Sequence, residues 1–340
     1  MAEEHTPRVT VAIPTYNRAR FLRESIESAL AQTLRDIEVV VSDNGSTVET
    51  RDVVAAFDDP RLSYSRLESN IGLHGNLSRC LELGSAPYLS LLQDDDTMDP
   101  ANLERKVEAL ERFPEAALVH GPFRFIDVEG RVLSERVDWW KSGEERETGE
   151  QFIRGMVEWG VRVDMSSWLL VRERLGKLRF AAEDGLATDF GFLLRVGLRG
   201  DVAYVDEPLT SVRRHAGSLS VAGDSLMLEG GHYAPSFAYV LACRAATERF
   251  LEAYAEVVAD SVSLRKASRR WASGELAGVV RVQAGEEPSL RRTLGDVRRA
   301  ASAEPRILRT RKVALTLAWA AAGRRGRRLA RRVLRRPRRP

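Results

Sequence analysis

The sequence predicts an α/β protein: a mainly parallel central sheet with helices on both faces, followed by a helical C-terminal region. Three observations carry this. Short runs rich in Val and Ile alternate with amphipathic helical stretches over residues 9–120, which is the pattern of crossover units. Hydroxyl or acidic residues stand directly after several of those runs. Beyond Ser220 the strand signals fade and the apolar spacing becomes helical.

The first run, Val9–Ile13, ends on Pro14-Thr15-Tyr16-Asn17. A helix is expected from Arg18 to Ala31, with Phe21, Leu22, Ile26, Ala29 and Leu30 on one face. Ile37–Val41 reads as the second strand and stops at Ser42-Asp43-Asn44-Gly45-Ser46. A helix over Glu49–Phe57 leads to a third strand at Leu62–Leu67. After Asn70-Ile71-Gly72 comes a helix over Asn76–Leu83, then the strand Tyr88–Leu92. That strand runs into Gln93-Asp94-Asp95-Asp96, and Asp99-Pro100 is placed to open the next helix as N-cap acid and first-turn proline. The helix Asn102–Phe113 precedes a strand at Ala117–His120.

Adjacent carboxylates at the end of a buried strand repel unless a cation or hydrogen-bond donors separate them. Hard oxygen ligands of this kind suit Mg2+ or Mn2+ shared with substrate phosphates; a solvated acidic turn is the bland alternative. In a parallel sheet, ligands bind outside the carboxyl ends of the strands. Thr15, Asp43 and Asp94–Asp96 all fall there, so one crevice can gather them. Taken alone, Asp43-Asn44-Gly45-Ser46 is a tight turn. No glycine fingerprint or Walker loop follows the first strand, which argues against a dinucleotide-binding domain and against a nucleotidyltransferase.

Composition bounds the rest. The chain has 340 residues, 44% hydrophobic and 30% charged, as soluble globular proteins have. Cys80 and Cys243 are isolated, which suggests a reducing compartment without a disulfide framework or zinc site. No secretory signal is visible at the acidic N-terminus. The net charge of +3 conceals an asymmetry: residues 306–340 carry fourteen Lys or Arg and no acid, leaving −11 on residues 1–305.

Several motifs stand in a recognisable order: Pro14-Thr15-Tyr16-Asn17, Asp43-x-Gly-Ser46, Asn70-x-Gly72, the acidic triplet, Asp189-Phe190 opening an aromatic-rich helix, and Arg213-x-His215-x-x-Ser218-x-Ser220. In this the chain resembles the family 2 glycosyltransferases of GT-A fold over residues 8–220. The resemblance implies sugar transfer from a nucleotide donor to an acceptor hydroxyl with inversion, and a divalent cation as cofactor. It implies that Pro14, Thr15, Tyr16 and Asn17 border the nucleoside, with Asn70 and Gly72 beside them. Asp43 would hydrogen-bond the base, Asp94 would meet the ribose, and Asp95 would be the main metal ligand. Gln93 departs from a position where the family often has an acid, and Asp96 is left to orient the loop.

A general base must take the acceptor proton on the face opposite the leaving group. Asp189 is the expected base, because Phe190, Leu194 and Arg195 continue the family pattern after it. Glu183 and Asp184 compete for that role, and a helix-terminal acid is the structural alternative. His215 is expected at the diphosphate or metal, with Arg213 supporting it at the diphosphate. Trp139, Trp140 and Trp168 are read as packing residues before any acceptor-stacking role.

The expected division is a catalytic domain over 1–225, a helical region over 226–305 and a basic amphipathic or disordered tail over 306–340. Helices are expected between Tyr233 and Trp271, packing on the catalytic domain, with a dimer helix as alternative. The apolar stretch Val313–Ala322, flanked by arginines, is too short to span a bilayer. It predicts an anionic membrane surface as partner through the tail, with a disordered tail or nucleic-acid arm as alternatives. Donor and acceptor would be a nucleotide sugar and a glycan or lipid-linked hydroxyl, on the cytoplasmic face of the cell membrane, in surface polysaccharide or glycolipid synthesis. No nucleic-acid partner is expected. The alternative of another class is a silent nucleotide-sugar-binding scaffold of the same fold.

Overall fold

A computed structural model describes residues 7–138, 145–160, 163–215, 226–227, 233–234, 237–286, 297–298, 301–302 and 314. Trp139, Trp140, the Ser218–Ser220 end of the histidine motif and nearly all of the basic tail lie outside the described residues.

Strands and helices alternate through β1 (Val9–Thr15), α1 (Ala19–Leu30), β2 (Ile37–Asp43), α2 (Val48–Ala55), β3 (Leu62–Arg66), α3 (Gly72–Cys80) and β4 (Tyr88–Leu91). A short β5 (Thr97–Met98) precedes α4 (Asn102–Arg112) and β6 (Ala116–His120). The chain continues through β7 (Phe123–Ile126), β8 (Val132–Val137), β9 (Arg146–Glu147), α5 (Gly149–Trp159), β10 (Leu169–Val171), α6 (Arg172–Leu175), α7 (Thr188–Val196), β11 (Asp201–Tyr204) and β12 (Thr210–Arg213). It ends with β13 (Leu226–Met227), β14 (Tyr233–Ala234), α8 (Phe237–Ala253) and α9 (Ser261–Glu286).

The main sheet runs β3-β2-β1-β4-β10-β6-β11-β9. β1 to β4 are parallel, as are β6 and β11. β10 lies antiparallel to both β4 and β6. A second sheet, β5-β12-β7-β8, stands beside the strand ends.

Side chains alternate across a strand, so each strand feeds two cores. Val9, Val11 and Ile13 pack with α1, α2 and α4 through Leu22, Ile26, Val54, Leu103 and Val107. Ala12, Leu89, Leu91 and Leu170 face α3, α5 and α7, and that core runs on into Phe250, Leu251 and Leu264 of α8 and α9. Helix α5 begins with a capping box, Thr148 with Gln151, and ends at left-handed Gly160.

The helix expected to open at Asp99-Pro100 instead starts at Asn102. Asp99 does not cap it, because its Oδ1 accepts from Arg124 Nη1 at 2.7 Å. Trp168 is fully buried, stacked on Phe192 at 6.0 Å, and its Nε1 donates to Val163 O. It is a core residue.

Candidate functional site

The ends of β1, β2 and β4 form one edge. Thr15 is in register with Asp43, and its Oγ1 donates to Asp94 Oδ2 at 2.7 Å. One hydroxyl therefore joins positions that are remote along the chain. The acidic loop is anchored through Asp96. Its Oδ2 accepts from Ser166 Oγ at 2.6 Å and its Oδ1 from Arg213 N at 2.9 Å. Ser25 Oγ donates to Asp96 O, and Ser166 Oγ accepts from Gln93 N.

With Asp96 turned inward, Asp95 is left at the crevice. Its Oδ2 lies 3.0 Å from Arg18 Nη1 and 3.0 Å from His215 Nε2. The His215 ring rests on Phe21 at 5.0 Å. Arg18 Nη1 also approaches Asp94 Oδ1 at 3.6 Å. Burial, with the Asp95 charge adding, pushes the Asp94 carboxyl up to about 7. Burial also pushes the Asp96 carboxyl well above the usual carboxylate range, with Asp95 and Asp164 adding.

Arg213, expected at the diphosphate, is turned into the protein in this structure. It is 2% exposed. Its Nε donates to Asp95 O at 2.9 Å and Nη1 to Asp127 O at 3.1 Å, while Nη2 pairs with Glu24. The guanidinium lies over Phe21, 4.7 Å from the ring centre. Packing between α1, the acidic loop and the β7–β8 turn consumes its donors, so Arg213 shapes the crevice from beneath.

On the β2 side, Asp43 is fully buried, accepting from Ser46 N at 2.7 Å and from the Tyr64 hydroxyl, with Arg66 Nε 3.8 Å away. Tyr64 has its phenol pKa raised by burial and by Asp43. Asn44 Nδ2 donates to Asn70 Oδ1 at 2.9 Å, and Ile71 N donates to Asn44 Oδ1. Asn70 Oδ1 also accepts from Gly72 N. Gly45 has φ +83, and a Cβ there would meet the Ser69 backbone at 3.0 Å, so the two motifs interlock as loops. Pro14 is buried in β1, whereas Tyr16 is 44% exposed. Asn17 takes φ +54 and is held by Ser46 Oγ and Thr47 N.

Asp189 stands in the first turn of α7, its Oδ1 accepting from Phe190 N. Its charge and that of Asp95 both reach Asp164, whose carboxyl burial pushes up to about 6. Asp95, Asp164 and Asp189 therefore share one electrostatic neighbourhood. The competitor Asp184 is held away from it: its carboxylate is ion-paired with Arg195 and Arg249. Asp164, Arg18 and Ser166 were not singled out in the sequence; Asp164-x-Ser166, whose side chain caps the turn at Ser166 N, is the signal that was available.

Among the described residues, no three or more His, Cys, Asp or Glu form a metal cage. Asp95 with His215 offers two ligands, which suits an ion completed by diphosphate oxygens and water. The carboxylate and imidazole donors of this pair fit a divalent cation.

A family model described as Glycosyl transferase family 2 matches residues 10–168. An uncharacterized glycosyltransferase of Rickettsia felis is 34% identical over 132 residues, 38% of this chain and 22% of the relative. Chondroitin synthase of Escherichia coli is 29% identical over 138 residues, 40% of this chain and 20% of its own. The chain spans between 19% and 48% of the length of the curated relatives it matches. Among solved structures, S. aureus TarS 1-349 in complex with UDP-GlcNAc superposes with TM-score 0.54 at 17% identity, covering 81% of each chain. Mannosyltransferase PcManGT from Pyrobaculum calidifontis, in complex with GDP-Man and Mn2+, superposes with TM-score 0.51 at 19% identity, covering 93% of this chain and 86% of its own. These two show that the fold is of the GT-A type.

Proposed function

From residues 10–168 as a glycosyl transferase family 2 region, we propose that the chain moves a sugar from a nucleoside-diphosphate donor to an acceptor hydroxyl with inversion. The observation that carries this reading is the meeting of Asp95 Oδ2 with His215 Nε2 at 3.0 Å, beside the Thr15–Asp94 link. Asp95 and His215 would hold a Mg2+ or Mn2+ ion. When bound, that ion neutralises charge on the departing diphosphate.

The chain's own residues supply the rest. Tyr16 offers an exposed ring for the base, and the exposed Asn17, Asn70 and Gly72 would border the nucleoside beside it. Asp94 meets the ribose, held in place by Thr15. Asp43 reaches the base by exchanging its Tyr64 partner. Asp189 accepts the acceptor proton as the acceptor oxygen bonds to the anomeric carbon; the bond to the diphosphate breaks and its electron pair leaves with the phosphate oxygen.

The acceptor is a glycan or lipid-linked hydroxyl of surface polysaccharide or glycolipid synthesis. Catalysis belongs to residues 1–225, with 226–305 a helical support and 306–340 a basic tail that binds an anionic membrane surface from the cytoplasmic side. No helix among the described residues is long and apolar enough to cross a membrane.

Thermal shift with UDP-, GDP- and dTDP-sugars, with and without Mn2+, tests the reading. Mn2+-dependent stabilisation by one class, followed by a product of inverted anomeric configuration, supports it. Absence of stabilisation by every nucleotide sugar overturns it.

A further inference from the structure

The segment leading into α7 carries a buried ionic knot that the proposed chemistry does not use. Asp184 is 2% exposed. Its Oδ2 lies 2.8 Å from Arg195 Nη2 on α7, and its Oδ1 accepts from Arg249 Nη2 on α8 at 3.2 Å. The carboxylate lies directly on α7 at Gly191, where a Cβ would fall 2.2 Å from Asp184 Oδ2. Any other residue at 191 would expel the carboxylate. Gly185 then takes φ +55, so the chain reverses and leaves Glu183 and Leu186 facing solvent.

Helical spacing gives this knot a direction. Gly191 and Arg195 are one turn apart on one face of α7, and that face points roughly opposite to Asp189. The knot therefore holds the helix on the face opposite Asp189. Arg249 belongs to α8, whose Phe250 and Leu251 are embedded in the same core as Phe190 and Leu194 of α7.

We infer that the Arg249–Asp184–Arg195 knot sets the position of Asp189, so that α8 is a working part of the transfer site through the positioning residue Arg249. This inference rests on the reading of Asp189 as the base. Arg249 is the lever that can be changed without unfolding the protein. Its side chain is 39% exposed, and Arg195 remains to neutralise Asp184 when it is replaced.

The test compares R249Q, R249K and D189N in the full chain. Nucleoside-diphosphate release from UDP-GlcNAc and GDP-mannose is followed with Mn2+, alongside amide hydrogen exchange over residues 182–190. R249Q should lose about tenfold in kcat with donor KM nearly unchanged, because displacing a base by a fraction of an ångström removes alignment and not binding. Its 182–190 amides should exchange faster, and R249K should recover most of both. Wild-type exchange in R249Q overturns the inference, as does a parallel loss of donor KM. An inactive D189N beside a normal R249Q overturns the inference alone; an active D189N overturns the base reading and the inference with it.

Discussion

Asp95 Oδ2 and His215 Nε2 lie 3.0 Å apart across 120 residues of chain. Nothing local brings them together. Arg213, two residues before His215, donates to the Asp95 carbonyl, and so ties β12 to the acidic loop.

Asp95→Asn should abolish Mn2+-dependent stabilisation by nucleotide sugar and lower turnover by about a hundredfold or more. The fold should survive, since Asp95 is a partner and not an anchor of the loop. Thermal shift with and without Mn2+ checks both; a wild-type Mn2+ response would remove Asp95 as ligand.

Asp189→Asn should leave donor affinity in place and reduce transfer by about 10²–10⁴-fold. Steady-state kinetics separates the two effects. Weakened donor binding with turnover intact would assign Asp189 to the donor instead.

Arg213→Leu should act on stability. Removing a buried cation leaves Glu24 and the Asp95, Asp127 and Val128 carbonyls without their donor, a loss on the order of 3–5 kcal/mol. Chemical denaturation measures it. A variant of normal stability with selectively weakened diphosphate binding would return Arg213 to the phosphate role.

Lys106 gives a pH prediction. Its ammonium is buried without a hydrogen-bond partner, and burial lowers its pKa from 10.5 to about 7 despite Asp164. Between those values the unfolded chain binds the proton that the folded one lacks, so this group makes stability rise with pH from about 7 to 10.5. Lys106→Met should flatten that slope and raise stability at pH 7 by about 1–3 kcal/mol. Urea midpoints across the range decide; an unchanged slope would show that Lys106 is charged in the native state.

The tail prediction is independent of the site. The full chain should pellet with anionic liposomes in low salt, and a chain ending before Arg306 should not. Binding to duplex DNA but not to vesicles would favour the nucleic-acid arm.

The first half of the fold was legible because its signals are local. Val- and Ile-rich runs, helical stripes and strand-end acids place β1 to β4 without reference to partners. The three residues of β10 were too few to announce a strand, and their antiparallel pairing is decided by β4 and β6. Burial decided the fate of the charged residues in the same way. Arg213 beside His215 looked like a phosphate contact, yet Glu24, on α1, claims it. Asp184 and Asp189 look equivalent in sequence; only the folded chain brings Arg195 and Arg249 to one of them. Asp164 was missed because its meaning lies in neighbours that are remote in sequence.

Strand β10 has one more consequence. The family match ends at Trp168, one residue before β10 begins at Leu169. A piece cut at that boundary would keep β4 and β6 but lose what lies between them, leaving a gap one strand wide, with backbone donors and acceptors bare on both banks. The recognisable region is thus not the autonomous folding unit. A chain ending at Trp168 should therefore present two half-sheets prone to aggregate.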